Sequence, residues 1–225
     1  TPAPSTSEVT PATRAVTTTV IDGALQNVLV CIDKNRNGAC DTGEPSATTN
    51  ATGQATLQIA EADAGKYPML AIVTKDSIDA DTGSVPVGFT LHAPADQPGI
   101  ISPLSTLVHA HSQATGSSTA DATTAIQSQL GLNSPALANF TQDSSEAGKQ
   151  TATLARLIVV TTQTQITKTA GASSRDGEPL TPAQVNAAIN SVLLQQLQTL
   201  SASVQDNPVL ANTSTSIKDK QLAME

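Results

Sequence analysis

At 225 residues and 38% hydrophobic content, the chain can hold one large domain or two small ones around a real core. Phe89, Phe140 and Tyr67 are its only aromatic residues and Trp is absent, so Val, Leu, Ile and Ala must build the core. A sugar-binding platform or a base-stacking surface would lack the rings it needs. With 19 acidic against 11 basic residues, a net charge of -8, most of the surface repels phosphate backbones, which excludes nucleic acid as a main partner.

The opening stretch TPAPSTSEVTPATRAVTTT is rich in Thr, Ser and Pro and has neither the basic nor the apolar region of a signal peptide. It reads as an extended tail over residues 1–14, and export would mean that a signal has already been removed. A lipidated terminus would be Cys, and Thr1 is not. No stretch reaches the ~20 consecutive apolar residues of a membrane span. Cys31 and Cys40, the only two cysteines, read as a loop-closing disulfide in an oxidising compartment; the alternative is a pair of reduced thiols in a cytosolic chain.

Behind the tail come short segments rich in β-branched residues: Ala15–Ile21, Asn27–Ile32, Ala55–Ile59, Met69–Thr74 and Pro86–Leu91. Turn clusters at Asp22-Gly23, Asn50–Gly53 and Asp79–Gly83 separate them, and this spacing predicts an antiparallel β-sandwich over residues 15–98. From about residue 99 to 225 helix signals take over. Ser118 precedes a helical stretch that stops at Gly131. Asp143 and Glu146 have capping-box spacing ahead of a long segment ending near Gly171, and Thr181, Pro182 and Gln184 supply cap, first turn and box partner for the last long helix. That helix carries Val185, Ile189, Val192, Leu193, Leu197, Leu200 and Val204 in one apolar stripe, which predicts packing against the preceding helix in a bundle. The expected fold class is therefore α+β, a β-sandwich followed by a helical bundle.

The sharpest chemical signal runs from Asp33 to Glu44. DKNRNGACDTGE satisfies every fixed position of the calcium-loop pattern D-x-[DN]-x-[DN]-G-x5-E. Calcium needs about six to eight oxygen ligands, more than one side chain offers. Asp33, Asn35 and Asn37 can turn oxygens inward at alternate positions, Gly38 permits the bend that presents the Ala39 carbonyl, Asp41 reaches the ion directly or through water, and Glu44 closes with both carboxylate oxygens. A strand enters the loop and Pro45 follows it, so the context is not helix-loop-helix and the ion is expected to stabilise rather than switch.

The segment VIDGALQNVLVCIDKNRNGACDTGEPSATTNATGQATLQI resembles the calcium-loop-bearing B-type, Ig-like or prealbumin-like β-domains of bacterial surface adhesins. It is also similar to the opening domain of many exported proteobacterial proteins. In such domains a strand is followed by the D-x-N-x-N-G-x-x-D-x-x-E loop and a turn of the form T-x-x-x-G-x-x-x-L, supplied here by Thr49–Leu57 with Gly53 at the turn. IISPLSTLVHAH is similar to the stretch that follows this domain and opens a helical region. The resemblance covers roughly residues 15–110 and implies a calcium-stabilised extracellular β-sandwich; it does not imply an enzyme.

Weaker constellations surround this motif. Asp76, Asp79 and Asp81 form an acidic turn that could hold a second ion, although such turns are usually just solvated. His109 and His111 are spaced wrongly for a helical zinc pair, which wants four residues, and His92 reads as structural. Ser102 and Ser105 have no nucleophile elbow and no acid partner. The reading is a non-enzymatic, extracellular, calcium-stabilised structural module on a bacterial surface. Its expected partner is another copy of itself, in head-to-tail filament assembly by strand exchange of Thr1–Val20. The alternative is an adhesive front domain for a surface or matrix ligand.

Overall fold

The computed structural model describes residues 11–169 and 180–206, with the side chains of the last helix as far as Leu197. Residues 1–10 of the expected exchange segment and the expected helix stop at Gly171 lie outside the described residues. The described chain is a mixed α/β structure with ten strands in three small sheets and four α-helices.

Strand β1 (Thr13–Val20) begins two residues before the expected Ala15. It pairs antiparallel with β5 (Gln54–Ala60) in a register from Thr13↔Ala60 to Thr19↔Gln54, and its end lies parallel to β10 (Ile100–Ile101). Alternation sets the buried face, with Val16, Thr18 and Val20 inward on β1 and Ala55, Leu57 and Ile59 inward on β5. The second sheet has the order β4-β3-β6-β9, built from β3 (Leu29–Ile32), β4 (Ser46–Thr48), β6 (Met69–Val73) and β9 (Phe89–Ala93). A small third sheet joins β2 (Leu25–Gln26), β7 (Ile78–Asp79) and β8 (Gly83–Ser84). Residues of the two larger sheets meet in one apolar cluster that includes Val20, Leu57, Val30, Met69, Val73 and Leu91.

Helix α1 (Pro103–Thr115) starts where β10 ends, and a polar network fixes that start. Ser102 Oγ accepts the Ser105 N–H at 3.1 Å, the Ser102 N–H donates to Ser105 Oγ at 2.8 Å, and Ser105 Oγ donates to the His92 carbonyl at 2.6 Å. The His92 N–H donates to Thr106 Oγ1 at 2.9 Å. All of these groups are buried, so the reciprocal cap also satisfies the free edge of β9 and clips the helix to the sheet.

Helix α2 (Thr119–Leu130) has the expected Ser118 cap and ends at Gly131 in the left-handed region, φ 63°. Helix α3 (Glu146–Thr169) is capped by Ser145, whose Oγ accepts the Gly148 N–H, rather than by Asp143, which instead accepts the Ser145 N–H. Asp143 therefore forms a turn just before the helix. Helix α4 (Pro182–Asp206) shows the expected reciprocal box: Thr181 N–H to Gln184 Oε1 at 2.8 Å and Gln184 N–H to Thr181 Oγ1 at 3.3 Å. Leu104, Ile126, Leu154, Leu157, Ile189 and Leu193 from all four helices share one core. Ile21, from the turn after β1, belongs to that helical core, while Val159 of α3 belongs to the strand core. The helices and sheets thus pack through one another's apolar residues.

Candidate functional site

The Asp33–Glu44 loop connects β3 to β4, which pair antiparallel from Leu29↔Thr48 to Cys31↔Ser46. Its flanks are strands, and its two ends are held together below the motif by the Ile32 N–H to Pro45 carbonyl bond at 3.2 Å. Cys31 and Cys40 form a disulfide with 5.7 Å between their Cα atoms, tying the middle of the loop to the strand that enters it. Two further ties hold the outside. Lys34 Nζ pairs with Asp63 at 2.8 Å and lies over the Tyr67 ring, and the Asp63 hydrogen bond is the first cause that raises the Lys34 pKa.

Inside the loop the five motif side chains are linked by hydrogen bonds. Asp33 is buried and its two carboxylate oxygens accept the N–H groups of Asn37 and Gly38 at 3.1 and 3.0 Å. Asn35 and Asn37 both donate from Nδ2 to Asp41 Oδ2, each at 2.7 Å, while their own oxygens accept the Asn37 and Ala39 N–H groups. Glu44 folds back so that its two oxygens accept the N–H groups of Lys34 and Asp41. Arg36 at φ 58° and Gly38 at φ 74° are both left-handed, which tightens the chain into this ring.

Among the described residues no cluster of three or more His, Cys, Asp or Glu side chains stands ready to hold a metal. The donor set of the loop is wider than that, since two of its members are carboxamides and a third is the Ala39 carbonyl. Three carboxylates, two carboxamides and one carbonyl make an all-oxygen set, the chemistry a hard divalent cation takes. The residues therefore fit calcium by donor type and number.

The loop also touches the helices. A Cβ on Gly38 would lie 3.0 Å from the Ala183 nitrogen and 3.3 Å from Asn186 Nδ2, so the absence of a side chain there lets the loop seat against the first turn of α4. Beside this contact lies a cavity of about 560 Å³ lined by Arg36, His109, Asn186 and Leu194 among others. The His92 ring, on β9, stacks on that of His109, on α1, with centroids 5.4 Å apart and planes 8° from parallel.

Of the other residues singled out by sequence, Asp79 accepts the Asp81 N–H at 2.8 Å and the Gly23 N–H at 3.5 Å. Asp81 pairs with Arg156 of α3, and Asp76 enters only through its backbone, accepting from Asn27 Nδ2. Asp79 and Asp81 are thus engaged by neighbouring groups, while the exposed Asp76 is held only through its backbone. Ser102 and Ser105 are consumed by the α1 cap. The His92–His109 pair escaped sequence reasoning because its members sit on a strand and a helix, and no local spacing links them.

No protein-family model, no curated protein and no solved structure matches the chain.

Proposed function

We propose that the chain is a non-catalytic extracellular structural module in which calcium, bound at Asp33–Glu44, locks the strand region to α4. The observation that carries this reading is the seating of the loop against Ala183 and Asn186 through Gly38. An ion held by Asp33, Asn35, Asn37, Ala39, Asp41 and Glu44 replaces the amide donors now on Asp41, balances three carboxylates, and stiffens the surface on which α4 rests. The Cys31–Cys40 disulfide supports an oxidising compartment. The shared apolar cluster of the two larger sheets supports the β-sandwich arrangement implied by the likeness to B-type surface domains.

Ion binding to the folded chain alone raises its stability by mass action, by about 2.7 kcal/mol at a hundredfold excess over Kd. Thermal unfolding in calcium, in magnesium and in chelator tests this. The midpoint should be highest in calcium and should lose that increment in Asp33→Asn and Glu44→Gln; equal midpoints in calcium and chelator would refute the clamp.

Head-to-tail assembly would remake, between copies, the antiparallel register that Thr13–Thr19 makes with Gln54–Ala60 within the chain. Light scattering of the chain lacking residues 1–14 should then show loss of filaments. Unchanged assembly would favour the adhesive, ligand-binding alternative.

A further inference from the structure

The cavity between the Arg36–Gly38 bend, α1 and α4 has the size of a small-molecule pocket, about 560 Å³. Its walls are largely apolar, with Pro68, Ala110, Ala187 and Leu194 among them, and its polar residues are mostly neutral, such as Gln113 and Asn190. Two charged residues reach it, Asp33 and Arg36. Both Asp33 oxygens are occupied by loop N–H groups, whereas Arg36 makes no ion pair among the described residues. The cavity's one uncommitted charge is therefore positive.

Two buried polar atoms at this place have no hydrogen-bond partner among the described residues: Asn186 Nδ2 and His92 Nδ1. His92 is only 8% exposed, so water does not readily serve it. Asn186 Nδ2 is buried against Gly38 and closed off from the cavity, so Arg36 is the charged donor left to a ligand there. A cationic ligand would meet Arg36. A dianion would find one positive charge where it needs two, and a planar monoanion matches a single guanidinium in bidentate fashion.

We propose that this cavity binds a small amphiphilic monocarboxylate, its carboxylate held by Arg36 and its aliphatic part lying between α1 and α4 beside Ala110, Ala187 and Leu194. The site stands on the cavity's own walls and does not require an ion in the loop. It gives the module a ligand function in addition to a structural one, and it closes over the same loop–α4 contact, so ligand and loop stabilise the same seam.

The test uses the full chain with octanoate as probe and octanol as its neutral counterpart, followed by calorimetric titration. Octanoate should saturate a single site, and octanol should bind roughly tenfold more weakly or worse, the loss expected for one charge-assisted contact. Arg36→Gln should weaken octanoate by a similar roughly tenfold factor and leave octanol unchanged. Ala187→Phe, which fills the cavity from an exposed position, should abolish both. Absence of saturable octanoate binding would overturn the proposal, including the case in which another part of the chain or a second copy fills the space. Equal affinities for octanoate and octanol, or binding that survives Ala187→Phe, would overturn it too. If Arg36→Gln fails to fold, the octanoate-to-octanol ratio and the Ala187→Phe result still decide.

Discussion

Burial holds two imidazoles far from their ordinary 6.5. His92 is pushed down to about 3, first by desolvation and then by His109; His109 is pushed down to about 4, first by desolvation and then by the Arg36 charge. The unfolded chain therefore binds more protons than the folded one as pH falls below about 6.5. Stability held by the neutral rings is fully present above that pH and is lost as pH falls towards the folded values of about 4 and about 3. Urea midpoints should drop steadily between neutral and mildly acid pH, and His109→Gln, which cannot charge, should flatten the drop. An unchanged slope in that variant would remove the pair as its source. At this scale the disulfide was legible, because Cys31 and Cys40 bracket one short motif-bearing loop. The stacked histidines were not, because their contact exists only once β9 and α1 have been brought together.

Among the elements, α1 is where local and tertiary forces meet. Ser105 is wholly buried and serves the Ser102 N–H and the His92 carbonyl at once. Ser105→Ala leaves the Ser102 N–H without its side-chain acceptor and the His92 carbonyl with only the longer Thr106 Oγ1 bond, and should cost about 1–3 kcal/mol in chemical denaturation; a loss below that range would show that water or the backbone takes over the bonds. Both ends of α2 and the start of α4 could be read directly, since Ser118, Gly131, Thr181 and Gln184 act within a few residues of their own positions. The start of α1 was legible only as the opening of a helical region, because its box partner is Ser105 in place of the usual Glu or Gln. The cap of α3 moved from Asp143 to Ser145 because the Asp side chain finds a nearer N–H in its own turn. The five longer strands were visible as runs of β-branched residues. The two- and three-residue strands β2, β4, β7, β8 and β10 owe their pairing to neighbours rather than to composition.

Across the whole molecule, two apolar cores exchange members, with Ile21 in the helical core and Val159 in the strand core. Added to the loop's seat on α4, this coupling predicts that the strand and helical regions unfold together. Removing the disulfide by a Cys31→Ala, Cys40→Ala double substitution frees a short loop and should lower stability by roughly 2–3 kcal/mol in that single transition. Two separate transitions by circular dichroism would instead show that the regions stand independently. The proposed calcium clamp between them is tested most directly by calorimetric titration of the metal-free chain with calcium. One calcium per chain, with the heat abolished in Glu44→Gln, is the predicted result; no heat, or a titration that Glu44→Gln leaves unchanged, would contradict it.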